Sequence, residues 1–195
     1  MNGSATVVRS GCMAKDADMI LSEFILLGIG GKELSEENAA QTAKALNIIQ
    51  PDFIRVHATG IKLESKLGEF VRDGSFTLQS EEEIVIEQKL FFQQLHEMDS
   101  YYVNEHIVNL LLEVRGNLRT EKQEMLSTID RFLTLPPDER LLFTVGRRLN
   151  IFFRLDDLKK PKLHQKAGES LQQILSKNPH VDFAALCNYV RQSQI

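Results

Sequence analysis

Residues 20–31, Ile-Leu-Ser-Glu-Phe-Ile-Leu-Leu-Gly-Ile-Gly-Gly, and residues 51–58, Pro-Asp-Phe-Ile-Arg-Val-His-Ala, decide the fold class. The first stretch predicts a strand over 20–29, because apolar side chains run almost unbroken into the glycines Gly28, Gly30 and Gly31. The second predicts a shorter strand over 53–58. Between them lies a helix signal. Ser35 reads as its N-cap, Glu36 and Glu37 suit the positive end of its dipole, and Ala39, Ala43, Leu46 and Ile49 recur at helical spacing. Pro51-Asp52 then stops the helix. Strand, helix and strand at this spacing form a βαβ unit with parallel pairing and a right-handed crossover.

Beyond that unit the signals are helical. Residues 62–73 carry Leu63, Leu67, Phe70 and Val71 toward one side. Ser80 with Glu83 forms a capping box that opens a long helix with Ile84, Phe91, Leu95 and Met98 inward. Residues 101–103 read as a short extended or turn segment, followed by an apolar stretch over 107–114. Thr120 with Gln123 repeats the capping-box spacing before Met125, Ile129 and Phe132. Pro136-Pro137 ends that helix and Pro137 opens the next, through Leu149. Two more helices follow, over 163–177 and 183–192, the last with Asp182 as N-cap. The expected architecture is α/β and helix-rich, with the strand–helix–strand in residues 1–78 and a mainly helical extension in 79–195.

The first strand sets a problem. A parallel strand this apolar needs both faces covered and both edges paired, and two strands with one crossover helix supply neither. The sequence therefore implies strands that it does not itself contain. Two outcomes are open, that the helical extension folds over this strand or that a partner pairs with it, and the expectation is that a partner shields Ile25 and Leu27. That partner is a second copy in a homodimer through the exposed strands, or a separate chain.

Bulk composition narrows the function classes. Over 195 residues, 43% are hydrophobic and 26% charged, which is ordinary for one globular core. A net charge of −4 argues against a nucleic-acid partner or an anionic membrane. The one basic run, Lys159, Lys160 and Lys162, follows Asp156 and Asp157 and reads as a solvated loop. Cys12 and Cys187 are too few and too far apart for a disulfide scaffold or a zinc site, and they suit a reducing compartment. With no long apolar run and no apolar leader in the first dozen residues, the expected location is cytoplasmic. Met13 and Met19 read as apolar fill.

Residues 24–35, Phe-Ile-Leu-Leu-Gly-Ile-Gly-Gly-Lys-Glu-Leu-Ser, resemble strand five of the radical S-adenosylmethionine (radical SAM) barrel and the Gly-x-x-Gly turn after it, with Gly28 and Gly31 in the glycine places. Residues 51–56 are similar to strand six. Gly68-Glu69-Phe70, residues 80–84, residues 105–110 and residues 130–148 with Leu-Pro-Pro-Asp-Glu-Arg resemble one uncharacterised bacterial branch, so the likeness covers residues 9–160. The resemblance implies the end of a (βα) barrel, the last strand–helix–strand, followed by the family's helical extension. The parent activity it implies is reductive cleavage of S-adenosylmethionine at a 4Fe–4S cluster to a 5′-deoxyadenosyl radical, which abstracts hydrogen from a substrate. The family's Cys-x3-Cys-x2-Cys triad, whose thiolates hold three of the irons, is absent, as are the acidic and glycine-rich motifs of the earlier strands. After strand six, where relatives often carry a Pro-Gly-Thr-Pro-like turn, this chain has Lys-Leu-Glu-Ser-Lys-Leu at 62–67.

The candidate cofactor-binding residues follow from both lines. Gly28, Gly30 and Gly31 form either a tight strand-to-helix turn or, in the family reading, a turn beside the cofactor's adenosine; Lys32-Glu33 complete neither a P-loop nor a Rossmann fingerprint. Arg55 and His57 alternate with Ile54 and Val56 and so share one strand face. If that face is luminal, Arg55 meets the cofactor's carboxylate or ribose; otherwise the two are a solvated pair. His106 and Asn109 lie three apart, on one side if that segment is helical. No catalytic residue and no metal ligand is assigned.

The reading is therefore a fragment of a radical SAM enzyme, inactive alone and with no cofactor of its own. A separate chain would carry the missing barrel half. The alternative is a non-catalytic helical interaction module. The first reading predicts a colourless protein that takes up no iron–sulfur cluster on anaerobic reconstitution. A stable brown species with about four irons per chain is the contrary result.

Overall fold

The computed structural model describes residues 3–194. Helix α1 (Gly3–Asp16) leads into strand β1 (Ser22–Leu27), helix α2 (Ser35–Ile49) and strand β2 (Phe53–Ala58). Helices α3 (Lys66–Asp73) and α4 (Glu81–Gln94) precede two short strands, β3 (Tyr101–Val103) and β4 (Gly116–Asn117). Then come α5 (Lys122–Leu133), α6 (Pro137–Arg148), a 3-10 helix at Leu155–Lys159, α7 (Pro161–Lys177) and α8 (Phe183–Gln192). The architecture is α/β and helix-rich. β1 and β2 pair in parallel, Ser22 opposite Phe53 and Leu27 opposite Ala58.

The sheet has four strands in the order β1-β2-β3-β4, not two. β3 joins β2 in parallel over Phe53 to Arg55, and β4 joins β3 antiparallel. β3 falls on the segment over 101–103 that reads as extended or turn, whereas β4, at two residues, is too short for an alternation to show in sequence. The hydrophobic core runs without a break from Ile25 to Ala167, across the expected boundary at residue 78. Fully buried Tyr102 of β3 lies 4.7 Å from the ring of Phe92 on α4, and its hydroxyl accepts from Gln88 Nε2 at 3.0 Å.

Local chemistry accounts for most element ends, with four corrections. α2 buries Ala39, Ala43, Leu46 and Ile49 as its spacing predicts, but Ser35 does not cap it. The Ser35 hydroxyl donates instead to Glu87 Oε2 at 3.0 Å. The Ser80–Glu83 capping box is present in both directions. Thr120 and Gln123 form none, because Asn117 Oδ1 accepts the N–H groups of Arg119 and Thr120 and the helix starts only at Lys122. α3 starts at Lys66 with Ser65 as its cap, leaving Leu63 and Phe70 exposed. Leu95 and Met98 are buried as expected, but beyond the end of α4.

The faces of β1 reverse the expectation for its two central residues. Ile25 and Leu27 are 6% and 5% exposed, packed under the chain's own helices, whereas Phe24 and Leu26 are 63% and 45% exposed. Strand period two puts the two pairs on opposite faces, and helices α2 and α4 reach only one of them. The uncovered apolar side chains are thus Phe24 and Leu26.

A buried charge cluster ties the helices together. Glu81, at the first turn of α4, accepts Arg148 Nε at 3.0 Å and Arg148 Nη2 at 2.5 Å, and also pairs with Arg191 of α8. Burial alone would raise the Glu81 carboxyl; Arg148 and then Arg191 outweigh it and hold the group below 4.5. Its contribution to stability is therefore present above pH 4.5 and is lost as pH falls through the lowered pKa. Glu81→Ala strands two guanidiniums without a counter-charge and is expected to cost about 3–5 kcal/mol, read by urea denaturation at neutral pH.

Candidate functional site

The parallel register gathers one set of side chains on the uncovered sheet face. Phe24 lies opposite Arg55, Leu26 opposite His57, and Phe53 opposite Tyr101. Arg55 and His57 thus share a face, as their alternation predicts, and it is the one carrying exposed Phe24 and Leu26. Arg55 Nε donates to Ser22 Oγ at 3.1 Å. His57 is flanked by two rings: the edge of Phe24 at 5.6 Å and 83°, and His106 at 4.3 Å and 36°. The arrangement is cationic and aromatic, a surface suited to an anionic ligand with a flat ring.

His106 reaches this face from an irregular loop between β3 and β4, not from a helix. Asn109 fixes that loop. Its Oδ1 accepts the Ala58 N–H at 2.7 Å, and its Nδ2 donates to the Val56 carbonyl at 2.8 Å and to Asn104 Oδ1 at 2.6 Å. The Asn109 amide thereby takes the backbone groups of β2 that β3, ending at Val103, leaves unpaired. Behind the loop, Arg147 Nη2 donates to the carbonyls of Ile107 and Asn109 at 3.2 and 3.1 Å. Arg147 is fully buried with its guanidinium 5.5 Å over Phe153, and burial, with Arg148 beside it, lowers its pKa to about 10. Sequence spacing paired His106 with Asn109 but could not show that they serve opposite sides of one loop.

The glycine turn stands at the same end of the sheet as His57. Gly28 and Gly31 have φ of 82° and 63°, the left-handed region that turns the chain out of β1. The Gly28 N–H donates to Glu87 Oε1 at 3.1 Å, and Asn38 Nδ2 donates to the same oxygen at 2.7 Å. Fully buried Glu87 therefore binds the turn to α2 and α4, with Ser35 on its other oxygen. Gly30 lies within the turn, where Leu34 N–H returns to its carbonyl at 3.2 Å. Glu87 gave no sequence signal, since a single Glu on a helix reads as solvated.

The thiols do not fit a 4Fe–4S cluster. Cys12 lies on α1 and Cys187 is buried on α8, its pKa raised to about 12 by burial and then by Glu81. Two thiols, one of them inert, cannot supply three thiolate ligands. Among the described residues, no group of three or more His, Cys, Asp or Glu side chains is placed to hold a metal ion. No helix among them is long and apolar enough to cross a membrane. No family model, no curated protein and no solved structure matches the chain.

The histidine pair has a measurable signature. Burial, and second the charge of His106, hold His57 below 6.5. The unfolded chain keeps the proton that folded His57 releases, so this contribution to stability, present above pH 6.5, is lost as pH falls through the lowered pKa. An NMR titration is expected to place the His57 midpoint below 6.5, and His106→Ala to raise it by removing both the shielding ring and the neighbouring charge.

Proposed function

We propose that this chain is the C-terminal segment of a radical SAM barrel, not catalytic by itself, whose uncovered sheet face forms one wall of a chamber that a cysteine-bearing chain completes. One observation carries the reading: the paired parallel strands β1 and β2 bury Ile25, Leu27, Ile54 and Val56 on one face, while the other presents Phe24, Leu26, Arg55 and His57. Parallel sheets are normally covered on both faces, and in a (βα) barrel the face away from the helices is the lumen. β1 is also the sheet's edge strand, so a further parallel strand has a place to pair. The ordered resemblance over residues 9–160 points the same way.

In this reading Arg55 meets an anionic group of the cofactor, His57 lines the chamber, and the turn at Gly28, Gly30 and Gly31 forms its rim. With its N–H engaged by Glu87, Gly28 would approach a ligand closely rather than donate to it. The cluster and its chemistry belong to the other chain. Free thiols at Cys12 and Cys187 suit a reducing compartment, and the reading takes that compartment to be the cytoplasm. The alternative is a non-catalytic interaction module in which two copies cover the same Phe24–Leu26 face.

The test is co-expression with a separate segment of a radical SAM protein carrying Cys-x3-Cys-x2-Cys and the first barrel strands. The expected result is a one-to-one complex that forms 5′-deoxyadenosine from S-adenosylmethionine under reduction. Phe24→Lys with Leu26→Lys is expected to abolish the complex, while thermal melting of the chain alone changes by no more than about 0.5 kcal/mol per site. A chain that ignores the cluster-bearing segment and self-associates, losing association in the same double variant, would instead establish the interaction module.

A further inference from the structure

The segment after β2 is held by a helix more than a hundred residues away in sequence. The last backbone rung between β1 and the chain leaving β2 runs from Thr59 N–H to the Leu27 carbonyl at 2.8 Å. β1 then turns away at Gly28, and α8 supplies the next partners. Asn188 accepts the Ile61 N–H at 2.8 Å and donates to the Ile61 carbonyl at 2.9 Å, imitating a strand with its side-chain amide. Arg191 Nε donates to the Thr59 carbonyl at 3.0 Å, and its Nη1 pairs with Glu81.

We propose that α8 is a reversible latch on the carboxyl end of the parallel sheet, and that its release frees the backbone polar groups of Thr59 and Ile61 beside the glycine turn. Three observations support a docking weaker than the core. Two of the three side chains that α8 buries fully, Asn188 and Arg191, are polar, beside the small Cys187, whereas its larger apolar residues Phe183, Leu186 and Val190 are only half-buried. The seam buries two polar atoms without a protein partner: Thr59 Oγ1 and Gln194 Oε1. Each opposes docking, because a buried unsatisfied group regains hydration when the seam opens. Finally, Arg148 keeps both Glu81 oxygens occupied when Arg191 departs, so the open state leaves no bare buried carboxylate. The consequence is a two-state element at the position where open α/β sheets bind ligands, outside the carboxyl ends of their strands. This inference is independent of the radical SAM reading.

Native-state hydrogen exchange on the intact chain tests it. The Ile61 amide, protected by Asn188, is compared with the Ala58 amide, protected by Asn109 in the same stretch of chain. The expected result is that Ile61 exchanges faster than Ala58 and with little dependence on low denaturant, the mark of local opening. Asn188→Ala is expected to speed Ile61 exchange by roughly tenfold or more, through the loss of both hydrogen bonds between Asn188 and Ile61, and to leave Ala58 unchanged. If Ile61 and Ala58 of the unmodified protein exchange at one free energy with one denaturant slope, α8 opens only on global unfolding and the latch is refuted.

Discussion

The chain through β2 and on to Ile61 outlasts both of its neighbours. On one side β3 stops at Val103, opposite Arg55; on the other β1 turns away after Leu27. A buried peptide group without a partner is costly, so the remaining rungs have to come from elsewhere. Asn109 supplies them at Val56 and Ala58, and α8 supplies them at Thr59 and Ile61. Asparagine suits the task because its amide carries both a donor and an acceptor in the arrangement of a peptide bond. The irregular loop over 104–111 and the return of the last helix to the sheet both follow from this shortage of strand.

Those substitutions bring charge into the interior. The Asn109 loop is braced from behind by Arg147, and α8 is anchored by Arg191, with Arg148 between them on α6. Three buried guanidiniums thus cluster around one carboxylate, Glu81. The imbalance explains why Arg147 loses basicity while Glu81 stays ionised: the carboxylate is shared by Arg148 and Arg191, and Arg147 has only carbonyls and the Phe153 ring. A cluster of this kind contributes little net stability when intact and a large penalty when the shared carboxylate is removed. It fixes the register of α4, α6 and α8 relative to the end of the sheet.

The same geometry gives the sheet two unlike faces. Toward α2 and α4 it is apolar apart from Glu23 at the start of β1, with alanines at 39 and 43 that allow close approach of the helix. The opposite face combines apolar Phe24 and Leu26 with Arg55 and the His57–His106 pair. That mixture suits neither a solvated surface nor a hydrophobic core, which would exclude an arginine without a carboxylate. It suits a wall facing a bounded polar space, and the proposed chamber rests on that contrast.

The sequence by itself determined the strand–helix–strand, its parallel pairing, the buried stripe of α2, the capping box at Ser80 and the limits of α6 and α8. All of these depend on contacts within a few residues, or on a period that repeats often enough to be read. It also put Arg55 and His57 on one face, since alternation along a strand is local. Only the tertiary structure decided which face was covered, and it gave Ile25 and Leu27 to the chain's own helices, leaving Phe24 and Leu26 outside. Period two distinguishes the faces of a strand without saying which one meets the helices. Tertiary structure likewise revealed the pairing of β3 into the sheet, the strand β4, the hold of Glu87 on the glycine turn, and the roles of Asn109, Arg147 and Asn188. Each of these joins groups distant in sequence through single polar side chains, and a single polar residue carries no pattern until the fold supplies its partner.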